Sequence, residues 1–173
     1  VQTLHHGDLF EALSERTCDI AVAYDPPNHP RLQRRELGSG ELMLLFQPDS
    51  LPDAGDSVPL ARLDGQDMVG LTTSGPVGDL FTAEMQRQNV SIREVVSNQT
   101  FYIAAALTRC GAGMAVVDEF TARASSDAST AFRPFEPPIR FKVECVYLED
   151  RPPSKATEAF IDTLSATLHS LRG

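Results

Sequence analysis

The residues of this 173-residue chain with the strongest metal or nucleophile chemistry are four histidines, His5, His6, His29 and His169, and three cysteines, Cys18, Cys110 and Cys145. Their spacing does not use that chemistry. There is no H-E-x-x-H pair and no cysteine at zinc spacing from a second ligand, so no metal site is expected. Gly111-Ala112-Gly113 begins like a dinucleotide fingerprint, but Val116 stands where the third glycine belongs, and the glycines follow a helix pattern instead of a strand. Thr73-Ser74-Gly75 lacks the glycine two residues before the serine that a nucleophile elbow needs, and no lysine follows Gly78 to complete a phosphate loop. No catalytic residue and no cofactor are expected, and the chain reads as a non-enzyme.

What remains is a set of hydroxyls, amides and one carboxylate where strand patterns run into turns or helix starts. Thr72, Thr73 and Ser74, with the amides near Gly75 and Gly78 at the start of a helix, suit a carboxylate held by hydroxyls and backbone N–H groups. Asn98 and Thr100 precede a second helix start, Val117 and Asp118 a third, and Tyr24 ends an earlier strand. In α/β sheets small ligands sit in the crevice beyond the carboxyl ends of the strands. Thr72, Thr73, Ser74, Asn98 and Thr100, each taken singly, read more readily as plain helix caps than as ligand contacts, and Asp118 before Glu119 reads at least equally well as a cap. Their clustering without a catalytic group favours a binding module.

The elements that must position them follow from the apolar patterns. Residues 1–4 read as a short strand, and Leu9, Phe10 and Leu13 as a helix that Asp8 and Glu11 cap. Residues 20–24 and 68–72 are compact apolar runs of the kind found in strands covered on both faces. Two extended segments flank Gly38-Ser39-Gly40, and a loop rich in Pro, Asp and Gly covers 48–59. A helix with Leu80, Phe81 and Met85 on one side, a strand at 92–96, a helix at 101–110 closed by Gly111, and a buried strand at 114–117 come next. A short helix near 119–123 and a loop at 125–130 follow. Residues 139–148 alternate apolar and polar, as a strand with one wet face does. Ser154 caps a last helix carrying Phe160, Ile161, Leu164, Leu168 and Leu171 in one stripe. Alternating strands and helices give an α/β class with mainly parallel pairing.

With 15 Lys and Arg against 24 Asp and Glu, the chain carries a formal charge of −9, which opposes a large basic face for nucleic acid. No apolar run approaches the ~20 residues of a membrane span, so no membrane partner is expected. Three scattered cysteines do not make a disulfide framework and suit a reducing cytoplasm. Val1 starts in mid-pattern, which reads as a piece of a longer protein.

Gly7-Asp8-Leu9 followed by Cys18-Asp19-Ile20-Ala21-Val22, then Glu36-Leu37 and Glu41-Leu42-Met43-Leu44, then the run from Gly111 through Val117, and finally Arg151-Pro152-Pro153-Ser154 before the closing helix, form an ordered series. That series resembles the effector-binding domain of LysR-type transcriptional regulators. The resemblance implies a periplasmic-binding-protein-like fold of type 2: two Rossmann-like lobes joined by two crossover strands, with a small-molecule effector in the cleft between them. Such domains normally open with one more strand and helix, so Val1 would enter at the second strand. DNA would be a partner only through a separate N-terminal winged helix. The run Val116-Val117-Asp118-Glu119-Phe120-Thr121-Ala122 resembles the subgroup of lysine-biosynthesis and opine-catabolism regulators, whose effectors are amino-acid derivatives.

Residues 1–63 and 136–173 are expected to form one lobe and 64–135 the other, because two β-α series flank the 48–59 loop while the strand at 139–148 returns to the first sheet. A homodimer or tetramer is expected from the family, with the helices at 8–16 and 79–89 at the interface. The expected effector site is Tyr24, Thr72, Thr73, Ser74, Asn98, Thr100, Val117 and Asp118. In it Asp118 meets a cationic group of an amino-acid-like effector, and Thr72, Thr73, Ser74 and Thr100 receive its carboxylate. The alternative is a solute-binding protein of an uptake system on the same fold.

Overall fold

The computed structural model describes residues 1–70 and 75–171. The chain forms two compact units, Val1–Ser39 with Phe141–Gly173, and Gly40–Arg140. It is mixed α/β, and no helix among the described residues is long and apolar enough to cross a membrane.

In the first unit, β1 (Ala21–Tyr24) lies antiparallel to β8 (Arg140–Leu148), with Ala21 opposite Val146 and Tyr24 opposite Val143. The first part of β2 (Leu32–Phe46) flanks β8 on the other side. Helix α1 (Leu9–Ser14) buries Leu13 against Val146 and Leu148, with Phe10, Cys18, Ala21 and Leu32 packed around them. The expected cap on α1 is not formed: Asp8 makes no side-chain cap bond, and His5 Nδ1 accepts from the Gly7 N–H at the 3-10 turn just before it. Residues 1–4 carry no regular structure. The last helix, called α5 here in chain order (Lys155–Ser170), is capped as expected, Ser154 Oγ accepting from the Thr157 N–H at 3.2 Å. A second tie holds it down: Ser165 Oγ donates to the Leu37 carbonyl at 2.9 Å.

Gly38-Ser39-Gly40 does not interrupt β2, which runs unbroken for 15 residues. Its second part belongs to the second unit, pairing antiparallel with β6 (Met114–Asp118) on one side and β7 (Ala131–Glu136) on the other. Leu42 thereby stands opposite Asp118 and Phe46 opposite Ala131. The two-residue β3 (Val58–Pro59) pairs with β7 as well, so residues 40–63 cluster with the second unit, whereas loop composition placed the division at 63.

The other strands of this unit are parallel. β4 (Asp67–Gly70) lies between β6 and β5 (Arg93–Ser97). Helices α2 (Pro76–Gln88), α3 (Phe101–Arg109) and α4 (Glu119–Ser125) follow β4, β5 and β6 in turn. Proline suits the first turn of α2, where no N–H is needed. α3 ends where the expected glycine, Gly111, takes a φ of +82°. Gly113 must lack a side chain, because a Cβ there would sit 2.9 Å from the Asp67 carbonyl oxygen. That close approach lets β6 start directly beside β4. The core joins Leu45, Val69, Ala104, Ala115, Val117 and Ala122 across sheet and helices.

Candidate functional site

Because β4, β5 and β6 run parallel, their carboxyl ends at Gly70, Ser97 and Asp118 fall on one edge of the sheet, and each leads into a helix start. At the opposite ends, Asp67, at the start of β4, is ion-paired with Arg93 at the start of β5, and the hydrogen bond from Arg93 holds the Asp67 carboxyl below its usual range.

Asn98 follows β5 directly and is buried. Its Nδ2 donates to the Gly70 carbonyl at 2.8 Å, its backbone N–H reaches the same carbonyl at 3.4 Å, and its Oδ1 accepts from the Thr100 N–H at 3.0 Å. Thr100 then caps α3, its Oγ1 accepting from the Ile103 N–H at 3.3 Å. Both expected residues stand at the strand-end edge, and both have protein partners.

Asp118 is 1% exposed and is the cap of α4. Oδ1 accepts from the N–H groups of Phe120 and Thr121 at 3.0 and 2.9 Å, and Thr121 Oγ1 donates to Oδ2 at 2.6 Å. A buried carboxylate needs such donors, since leaving it unpaired costs several kcal/mol. Val117 is wholly buried, and its side chain belongs to the apolar core. The second unit thus brings Asn98, Thr100, Val117 and Asp118 to one edge. Tyr24 lies in the first unit, its ring 4.5 Å from that of Phe141. Thr72, Thr73 and Ser74 fall outside the described residues.

Three participants are missing from the sequence reading, one of which carried a local signal. The Gly70 carbonyl has no signature in residue type, being a main-chain atom chosen by register. Thr121 was legible, because a hydroxyl three residues after a capping Asp can reach back to it. Glu119 is 3% exposed and accepts the Glu41 N–H at 3.2 Å, with Arg123 3.7 Å away. Nothing in the sequence marks that pairing across 78 residues. Among the described residues no group of His, Cys, Asp and Glu is placed to hold a metal. A separate open groove of about 840 Å³ in the first unit is lined by Leu4, Cys18, Val22 and Phe160 among others, and by none of the candidate residues.

Residues 1–168 match the family model described as the LysR substrate binding domain. The chain belongs to that family. The LysR domain is 31% identical over 165 residues to the HTH-type transcriptional regulator DgcR of Pseudoalteromonas sp., covering 95% of this chain and 57% of the relative. It therefore spans little more than half of that regulator's length. Two solved structures share its fold. The CcmR regulatory domain of Synechocystis PCC6803, in complex with 2-PG, superposes with a TM-score of 0.80 at 16% identity over 94% of this chain and 79% of that one. HinK, a LysR family transcriptional regulator from Pseudomonas aeruginosa, gives 0.81 at 13% identity over 96% and 59%. The family is one of effector-binding regulatory domains, not of enzymes, and this overturns the alternative of an uptake receptor. LysR regulators bind small-molecule effectors and DNA and form oligomers.

Proposed function

We propose that this LysR domain senses an amino-acid-derived effector and thereby controls DNA binding by a separate N-terminal winged helix in a cytoplasmic homodimer or tetramer. The observation that carries the reading is the alignment of three parallel strand ends with three helix starts in the second unit. Thr72, Thr73, Ser74 and Thr100 would take the carboxylate end of the effector, Asp118 would face its cationic end while still capping α4, and Val117, its side chain in the core, would contribute only its strand-end backbone. Asn98 and Tyr24 complete the proposed set. The segment from Val116 to Ala122 supports the amino-acid-derived class, by its resemblance to the lysine and opine regulators. A ligand shifts such a regulator only through its differential affinity for two states.

The test is a thermal-shift and calorimetric panel on the 173-residue chain with basic amino acids, opines and, because the similar CcmR domain is complexed with it, 2-PG. At 100 times its dissociation constant a true effector adds about 2.7 kcal/mol of stability. Stabilisation by a basic amino acid or an opine is the expected result. Stabilisation by 2-PG alone replaces the amino-acid class with a small anion, and no stabilisation by any member overturns the effector class.

A further inference from the structure

We infer that Asn98 is a positioning residue of the effector site, acting through Gly70 and Thr100 rather than by touching the effector. This inference rests on the strand-end reading above. Both ends of the Asn98 carboxamide are engaged by the protein: Nδ2 donates to the Gly70 carbonyl at 2.8 Å, and Oδ1 accepts from the Thr100 N–H at 3.0 Å. The two partners belong to different elements. Gly70 ends β4, and Thr100 is the cap of α3. One buried side chain therefore fixes the spacing between the end of a strand and the start of the next helix along the sheet edge.

The choice of residue is chemically narrow. The position needs a donor toward a carbonyl and an acceptor toward an N–H on one short planar group, which only Asn offers at this reach. Asp would set a carboxylate oxygen against the Gly70 carbonyl. Ser would keep the local bond to an N–H two residues on and would not reach Gly70. Gly70 also receives the Asn98 backbone N–H at 3.4 Å, a length at which the side-chain bond is the stronger constraint. Since an ordered site must be held to fractions of an ångström, loosening this spacing weakens binding without removing any ligand contact.

The experiment compares the parent chain with Asn98→Ala and Asn98→Ser, reading the Gly70 carbonyl carbon resonance, the exchange rate of the Thr100 amide, and binding of 2-PG and of lysine. The Gly70 resonance moves in both variants. Thr100 exchange accelerates by tenfold or more in the Ala variant only, which corresponds to about 1.4 kcal/mol. Affinity for whichever probe the parent binds falls about tenfold in the Ala variant and less in the Ser variant. A parent-like Gly70 resonance in both variants overturns the inference. So does equal loss of affinity in the two variants with Thr100 still protected in Ser, which would mean direct contact by the amide. If the parent binds neither probe, the effector reading fails for those ligands, while the Gly70 and Thr100 signals still decide the positioning role.

Discussion

The two compact units leave different apolar surfaces uncovered. In Gly40–Arg140 the central strands are sealed: Leu45, Ala115 and Val117 have no exposure, and every residue of β6 is buried. Among the described residues its exposed large apolar side chains collect on the edge strand β5 and the first turn of α3, at Val95, Val96, Tyr102 and Ile103. In Val1–Ser39 with Phe141–Gly173, the 16-residue α5 buries one side chain, Ile161, while Phe160 is 54% exposed and Val22 43%. The same α/β grammar yields a unit with a closed core whose loose edge adjoins the candidate site, and a unit whose loose edge borders a groove. An apolar stripe read from sequence does not tell which fate it meets.

The sharpest way to break this comparison is a pair of truncations. Leu45→Ala should cost about 2–5 kcal/mol, the usual range for emptying a leucine site that cannot collapse. Phe160→Ala should stay within about 0.5 kcal/mol, as substitutions away from a packed core do. Urea unfolding midpoints measure both. Comparable losses would mean that α5 is covered in solution and that the two units do not differ.

Asp118 and Ser154 compare the units at their helix caps. Asp118 receives three hydrogen bonds in a buried setting, and Ser154 receives one from a backbone N–H at an exposed helix start. Asp118→Ala should therefore lower stability by about 2 kcal/mol, the upper end for a cap, and Ser154→Ala by about 0.5 kcal/mol. Asp118→Asn keeps capping ability and removes the charge, so it should fold nearly as well as the parent and lose affinity selectively for cationic effectors. Equal binding by parent and Asn variant in calorimetry would leave Asp118 as a cap alone.

Local rules carried the sequence reading where chemistry is local. Thr100, Ser154 and Gly111 behave as caps because the partners lie within three residues or the φ is set by the glycine itself. Asp8 fails as a cap because the chain inserts a 3-10 turn ahead of α1, an arrangement that residue types do not announce. Glycine spacing at 38–40 suggested a break, yet pairing with neighbouring strands holds β2 extended through it. β7 went unread because Pro134 demotes it as a strand pattern, and its partners Met43 to Phe46 lie far away in sequence. The candidate side chains of the second unit were all legible by type. The engagement of Asn98 by the Gly70 carbonyl was not, since it depends on register between distant strands, whereas the contacts of Asp118 with Thr121 and the helix amides lie within three residues.

The smallest expected effect lies at the surface, where the units should differ in the pH window rather than in size. On α2, Glu84 accepts from Arg87 at 2.9 and 2.6 Å and from Gln88 at 2.6 Å, and these bonds bring its carboxyl down to about 2 from an ordinary 4.5. A depressed acid stabilises the fold above its unfolded pKa, and that contribution fades as pH falls from about 4.5 toward 2. In the first unit, Lys142 is held above its usual range, chiefly by its hydrogen bond to Glu36 at 2.9 Å. A raised base is the mirror case: its contribution is complete below the ordinary 10.5 and is lost as pH climbs past it. Glu84→Gln should thus lower stability at pH 7 by about 0.3 kcal/mol, a pair on a helix surface being screened by water and salt. The gap from the parent should close near pH 2, whereas the gap for Lys142→Met should hold from neutral pH upward while Glu36 is ionised, and close on the alkaline side only once the lysine itself loses its proton. Melting curves at several pH values check both, and a Glu84→Gln gap that stays constant into acid would show that the Arg87 pair adds no stability of its own.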